Sequence, residues 1–474
     1  ADGTYTLEGA TADGLTIDKD LSIIGMGENV VIDANNNGRI FNIGANTVEL
    51  SNLAFINGNS STATDKRGGA LYVNGATLTI DNCKFINNTA GAKEDAGGSS
   101  TYGGAINLKS SSTTITNSEF DGNTAWSTGA GINAENSNVL LNISDSTFTN
   151  NVILNNGWSA GAAICSYNTV IINRSVFYGN RFTDETRNGK TINQYGTGSL
   201  TIENSILLDG EKGVWIATGP TTLENNWWGN NDATADTNPK DLGYTNADVG
   251  SYLVLSSSIN AENIYQGDII TVTTTLNGNV IELPIAYSAN AGAFTPTEGS
   301  IITSAESEYN ATTLGDAQIT IDVMGVQNVI NFTVKETLPN VTISNIKTPW
   351  AQGIYPGVNN TFNITLTNNG ENAVEGLVLE VYSNETGELI ASYTIESLAS
   401  GASTILITDP TIRPLTEETA WPAAQNNLIK FTFNLMRGDD IASTLSVNKM
   451  IAYNGYLNKT YAYGGHDNVI NRNY

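Results

Sequence analysis

The chain has 474 residues, with 21 Lys and Arg against 47 Asp and Glu, one His and two Cys, for a net charge of −26. Such a surface repels nucleic acid and anionic lipid and favours divalent cations or neutral and cationic sugars. An apolar content of 40% belongs to a folded protein rather than an acidic disordered tail, and no run of about 18 apolar residues offers a membrane span.

The first residues, Ala1-Asp2-Gly3, already read as strand and lack an initiator Met. Removal of a signal peptide leaves such a start, as does a cloned fragment. A phrase then recurs: a short apolar run, Asn or its substitute, then Phe. Leu50-Ser-Asn-Leu-Ala-Phe55 and Ile80-Asp-Asn-Cys-Lys-Phe85 are two copies, and others end at Phe120, Phe148 and Phe177. The steps between these Phe residues are 30, 35, 28 and 29, and 30 more reaches a degenerate copy at Leu207. A unit of this length cannot bury its own apolar face, so copies must stack.

A second phrase runs between the first: Gly68-Gly69-Ala70-Leu71, Gly103-Gly104-Ala105-Ile106, Gly129-Ala130-Gly131-Ile132 and Gly161-Ala162-Ala163-Ile164. Each unit reads as small residues, a strand, an alternating strand such as Thr77-Leu78-Thr79-Ile80, and an Asn-rich corner. Period-two alternation puts Phe, Ile and Leu on one face, where each meets its counterpart about 4.8 Å away in the next coil. Asn tolerates left-handed backbone at corners and forms side-chain ladders between coils. Thr, Asn, Gly and Val without a 3.6-residue stripe exclude long helices, and a propeller blade needs about 40 residues. The expected fold class is all-β: a right-handed parallel β-helix over 1–245, then two immunoglobulin-like β-sandwiches.

The paired phrases, with Phe85-Ile-Asn-Asn88, Phe120-Asp-Gly-Asn123, Phe148-Thr-Asn-Asn151 and Phe177-Tyr-Gly-Asn180, resemble the repeats of polymorphic outer-membrane proteins. They resemble more closely the large adhesin-like surface proteins of methanogenic archaea, whose coils also tend to end in a segment like Glu224-Asn-Asn-Trp227-Trp228-Gly229-Asn230-Asn231. The resemblance covers about half the chain and implies architecture more than activity.

Residues 232–250 lose the repeat and read as a closing cap and linker, with Trp227 and Trp228 plugging the open end against edge association. Over 250–336, runs at Tyr252–Leu255, Ile269–Thr273, Gln318–Asp322 and Val329–Val334, spaced by turns, predict the first sandwich. Over 338–474, Thr361–Thr367, Leu377–Tyr382 and Leu428–Leu435 predict the second. Asn368-Asn369-Gly370-Glu371 reads as a turn between two of its strands, and the carboxy-terminal segment is rich in Tyr, Asn and Gly. This stretch resembles the immunoglobulin-like modules strung together in bacterial and archaeal surface proteins.

Candidate chemistry is sparse. Asp81, Glu119, Asp121, Asp145 and Glu203 are acids on the coils, with Lys84 and Arg174 as bases. Asp81, Asp145 and Glu203 follow the Ile of their repeats and predict a broken acidic column. A solvated face explains them better than a polysaccharide lyase or hydrolase site. No catalytic or cofactor-binding residue is assigned, and the chain reads as a non-enzyme.

Calcium is a weak candidate ion: Asp232, Asp236 and Asp241, like Asp33-Ala-Asn-Asn-Asn-Gly38, have the ligand type but not the spacing of a calcium loop. Structural turns are the better reading. Glycosylation acceptors stand at Asn59, Asn87, Asn142, Asn173, Asn310, Asn331, Asn340, Asn359, Asn363, Asn384 and Asn458, a number that chance accounts for in so Asn-rich a chain. Cys83 and Cys165 lie too many coils apart to bridge; they read as small buried residues, with an intermolecular bridge as the alternative. His466 alone supports no His-based site.

Three functions compete. The first is a secreted cell-surface structural or adhesive protein that self-assembles into an archaeal surface layer, sheath or filament. The second is a glycan-binding adhesin, which would need a row of aromatics; Tyr102, Trp126, Trp158, Tyr167 and Tyr178 read as too scattered for one. The third is the polysaccharide lyase or hydrolase.

Overall fold

A computed structural model describes residues 2–7, 11–92, 101–136, 138–154, 160–183, 189–231, 235–348, 353–354, 360–384, 387–409 and 428–451. Among them strands dominate, and the only helical pieces are the 3-10 turns Gly210–Lys212 and Ala235–Thr237. The chain divides into two compact units, Ala1–Val334 and Lys335–Tyr474.

The first unit opens with four parallel sheets. Sheet A runs through Gly3–Thr6, Lys84–Ile86, Glu119–Asp121, Thr147–Thr149 and Val176–Tyr178 to Asn226–Trp227 and Tyr252–Leu253. Sheet B holds Leu71–Asn74, Ile106–Lys109, Ile132–Ala134, Ile164–Ser166, Ile192–Gln194 and Val214–Ile216 with two earlier strands. Sheet C holds the alternating strands, Thr77–Asp81 and Ser112–Thr116 among them, and a short sheet D holds Thr89–Ala90, Thr124–Ala125, Val152–Ile153 and Arg181–Phe182. Each repeat contributes one strand to each of A, B and C, and each strand pairs in parallel with its equivalent one repeat later. This pairing is the one a parallel β-helix requires.

The register turns each repeated residue into a column. Phe85 lies beside Phe55 and Phe120, and Phe148 beside Phe120 and Phe177. Successive ring centroids are 5.0, 4.8, 4.5 and 5.0 Å apart and within 15° of parallel. All five rings are fully buried. Burying each is worth about 1.5–3 kcal/mol, so the row is a main source of the unit's stability.

Polar residues of the repeat form columns too. The Asn of Phe-x-x-Asn is buried, and its amide bonds the next copy: Asn88 to Asn123, Asn123 to Asn151 and Asn151 to Asn180, at 2.9–3.0 Å. Each Nδ2 also donates to a Phe carbonyl, as Asn123 does to Phe85 at 2.8 Å. The column ends in Asp209, which accepts from Asn180 and Thr191. A neighbouring column of Ser118, Ser146, Ser175 and Ser205 accepts backbone N–H groups from the preceding coil. Cys83 occupies the same place one coil earlier, its N–H donating to Ser118 Oγ at 3.1 Å. The buried polar groups in these columns are satisfied by neighbouring copies and by backbone carbonyls, which is why so polar an interior holds.

Corners follow the Asn pattern. Asn52, Asn82, Asn117, Asp145, Arg174, Asn204 and Asn225 share a left-handed backbone with φ between 46° and 54°. Asn and Asp adopt this readily; Arg174 does not, and its contact with Asp145 holds it there.

The stack's end differs from the expectation. Trp228 closes the coil interior, while Trp227 turns away to join Val176, Ile206 and Leu253 in the core of the first sandwich. The first sandwich strand expected at Tyr252–Leu255 is divided accordingly. Tyr252–Leu253 pairs in parallel with Asn226–Trp227, and Leu255–Ile259 opens the sandwich. That sandwich packs Val272, Tyr309, Ile319 and Ile321 between two antiparallel sheets.

In the second unit, Val341–Lys347, Asn360–Asn368 and Gly401–Asp409 form one sheet. Val374–Ser383, Leu389–Leu398, Leu428–Arg437 and Asp440–Ile451 form the body of the other. Phe362, Leu379, Phe431 and Phe433 fill the core between them. Asn368–Glu371 therefore crosses between sheets instead of joining hairpin partners, because Asn360–Asn368 pairs with Gly401–Asp409.

Candidate functional site

The outward side of sheet B is unlike that of its neighbours. On sheet C the outward residues Thr77, Thr79, Ser112 and Thr114 are exposed, as alternation demands. On sheet B one outward column runs Tyr72, Asn107, Asn133, Cys165, Asn193 and Trp215, and all but Trp215 are buried. Asn133 Nδ2 donates to Asn107 Oδ1 at 2.9 Å, and Asn107 Nδ2 to Glu135 Oε1 at 2.7 Å.

One end of this face is an ionic cluster. Arg39 is only 1% exposed, and its guanidinium donates to the carbonyls of Asp13, Asp65, Arg67 and Gly68. It thereby fastens the 60–68 loop over the sheet. Arg67 grips two carboxylates: Glu135 at 2.7 Å, and Asp65, whose Oδ1 accepts from Nε at 2.7 Å. Both guanidinium groups lie over the Tyr72 ring, at 5.3 and 5.4 Å.

Burial pushes the Asp65 carboxyl up, but its hydrogen bond to Arg67 and the charges of Arg67 and Arg39 outweigh this and leave it below its ordinary value. The bond to Asp65 raises Arg67, and burial lowers Arg39. Asp65 and Glu135 both hold the same guanidinium, an arrangement that fixes charge in place.

The other end is aromatic. Tyr167 stacks on Tyr195 at 5.5 Å and 26°, and Tyr195 meets Trp215 at 5.0 Å and 53°. All three rings are half-buried, and burial pushes the Tyr195 hydroxyl up to about 12. The expectation of scattered aromatics is thus corrected. Tyr167 belongs to a row whose other members are Tyr195 and Trp215, while Trp126 and Tyr178 lie off it; Trp158 is outside the described residues. Tyr102, also half-buried, bridges to Thr128 at the near edge of the same face.

The residues singled out from sequence are dispersed. Asp81 shares its column with Thr116, Ser144, Asn173, Glu203 and Glu224. Asp145 is not in it: it sits one residue further, at the left-handed corner, paired with Arg174. Lys84 pairs with Glu119 at 3.0 Å on the surface, and Asp121 accepts from Thr149 and Asn150. Asp236 and Asp241 are exposed and Asp232 lies outside the described residues. Among the described residues no three His, Cys, Asp or Glu side chains gather to hold a metal.

Of the sequons, Asn87, Asn310, Asn331, Asn340, Asn363 and Asn384 are exposed, and Asn59, Asn142 and Asn173 are half-buried. Asn359, Asn458 and His466 lie outside the described residues. Cys83 and Cys165 are free and fully buried, which disfavours a bridge to another molecule. Burial raises their thiols to about 11 and about 12.

Sequence reasoning missed Arg39, Asp65, Arg67, Glu135, Tyr195 and Trp215. One signal was available: Arg39 directly precedes the apolar pair Ile40-Phe41 in a chain with few bases.

A family described as CARDB matches residues 338–423, a segment of the second unit. No curated protein matches the chain. Among solved structures, the red sea bream transglutaminase is 11% identical, over 43% of this chain and 32% of that one, with a TM-score of 0.26. The carboxy-terminal fragment of intimin, solved with its Tir domain, is 14% identical over 42% and 65%, with a TM-score of 0.20. Domains 5–6 of the S-layer protein SbsC are 12% identical over 42% and 99%, with a TM-score of 0.16. Similarity this low carries no argument about the parallel stack or its outward face. Among its described residues the second unit is all-β, and residues 338–423 match the CARDB family.

Proposed function

We propose that this chain is a secreted, non-enzymatic structural or adhesive protein of the cell surface. In this reading its amino-terminal stack is a right-handed parallel β-helix that ends near residue 245, followed by immunoglobulin-like sandwiches over 250–336 and 338–474. The observation that carries it is the set of self-satisfied columns. Phe stacks on its own copies and Asn and Ser bond theirs, leaving a stiff rod whose sheet C face is mainly Thr, Ser and Asn. Such a rod suits repetitive packing in a surface layer, sheath or filament, with an archaeal cell as the expected setting and sequons open to glycosylation.

Calcium, bridging the −26 surfaces of neighbouring molecules, is the proposed aid to that packing. Purified protein is expected to form sheets or fibres under the electron microscope, more readily with calcium. Monodisperse particles at every calcium concentration would count against self-assembly, and immunogold labelling of the native cell would test the location separately. A second reading, a glycan-binding adhesin, is favoured by the Tyr167–Tyr195–Trp215 row alone. The polysaccharide lyase or hydrolase has no such support, since both acids of the sheet B face are held by Arg67.

A further inference from the structure

We infer that the outward face of sheet B is a binding site for a neutral polysaccharide lying along the stack, seated on Tyr167, Tyr195 and Trp215. This rests on the adhesive reading above and gives it a place and a ligand class. Three observations support it. The rings belong to successive coils with centroids 5.5 and 5.0 Å apart, close to the rise of one pyranose in an extended chain; Tyr167 and Tyr195 directly follow the paired residues Ser166 and Gln194, whereas Trp215 pairs with Asn193 and reaches Tyr195 diagonally. Unlike the near-parallel Phe row they are inclined to one another, by 26° and 53°, and they stand half-buried on the outward side, where an inert rod would carry Thr or Ser. Aromatic surface flanked by fixed polar groups is what a sugar, apolar on its C–H faces and polar at its rim, requires.

The ligand class follows from charge. At the far end Asp65 and Glu135 are balanced by Arg67 and Arg39, so the face offers a polyanion no surplus cation. The chain as a whole, at −26, repels uronates and sulfated glycans. Tyr102, half-buried, bridges to Thr128 on the same face. A chain laid along the axis would cross Trp215, Tyr195 and Tyr167 in turn and end against Glu135 and Arg67.

Calorimetric titration of the full chain tests this with four hexaoses: β-1,4-linked glucose, β-1,4-linked N-acetylglucosamine, α-linked mannose and, as the charged arm, galacturonate. At least one neutral hexaose is expected to bind. Tyr195→Ala and Trp215→Ala should each weaken that binding about tenfold, a single ring's contribution, while Tyr195→Phe retains it. Tyr178→Ala, on sheet A, should change nothing. Thermal melts confirm folding of each variant, and Tyr195→Phe remains informative if the alanine variants fail to fold. The inference is overturned if no neutral hexaose binds at millimolar concentration, if the strip variants bind as well as Tyr178→Ala, or if galacturonate binds best. None of these outcomes bears on surface location, which immunogold labelling decides.

Discussion

The stack and the carboxy-terminal unit bury the same kind of side chain by opposite rules. In the stack, Phe85 lies flat between Phe55 and Phe120, its own equivalents, at 10–15°. In the carboxy-terminal unit, Phe362 meets Phe431 and Phe433 edge-on, at 69° and 66°, across two different sheets. The first core is a residue repeated; the second is a set of unlike pieces that fit. A repeated core transmits a defect along its column, whereas a fitted core keeps it local.

The largest expected effect tests that difference. Phe120→Ala, in mid-column, should cost about 3–5 kcal/mol, and Phe433→Ala a similar amount. By calorimetry the first should lower the melting of the amino-terminal unit alone and the second that of the carboxy-terminal unit alone. One common transition shifted by both would deny the division into two units.

Next is Asn123→Ala, which strands the amide of Asn88 and the carbonyl of Phe85 in the interior. A loss of about 2 kcal/mol is expected in urea melts, against almost none for exposed Thr79→Ala. Equal effects would mean the ladder does not contribute.

A smaller effect has a sign set by pH. Burial raises the Asp209 carboxyl, with bonds from Thr191 and Asn180 only partly opposing it. The folded state therefore holds this proton more tightly than the unfolded chain. Stability from this group is complete below the unfolded value of about 3.9 and is lost as pH rises through the higher folded value. Asp209→Asn, which continues the Asn column, should melt on the order of 1 kcal/mol more stably than the parent at pH 7 and equally at pH 3. A gain at pH 3 as large as at pH 7 would contradict the titration.

The smallest concerns the corner at Arg174. Arg174→Asn gains a residue suited to φ 46° and loses a half-exposed ion pair, so the net change should stay within about 0.5 kcal/mol. A loss several times larger would give the pair a role the exposure of its partners does not predict.

What could be read from sequence tracks the two rules. The Phe row, the buried Asn of Phe-x-x-Asn and the Asn corners were legible because each residue's partner is its own copy about 30 residues on. Asp145 was misplaced by one position: Ile143-Ser144-Asp145 puts Ser, not Asp, in Asp81's column, as the register shows. Arg67 and Glu135, 68 residues apart, meet because loops of unequal length fold over sheet B, and no period announces that. Tyr195 and Trp215 escaped for a related reason: they fall in late repeats whose Gly-Ala phrase has decayed, and Trp215, paired with Asn193, meets Tyr195 out of register.

Spin-label distances along sheet C test the stack most directly. Glu49, Thr79, Thr114, Asn142, Ile171, Thr201 and Thr222 form one outward column of six parallel steps. With Cys83→Ser and Cys165→Ala as background, labels at Thr79 and Ile171 should lie about 14 Å apart between backbones, and labels at Glu49 and Thr222 about 29 Å, at about 4.8 Å per step. Distances growing linearly with the number of steps bear out the in-register column. Distances that fail to grow, or that scatter broadly, contradict it.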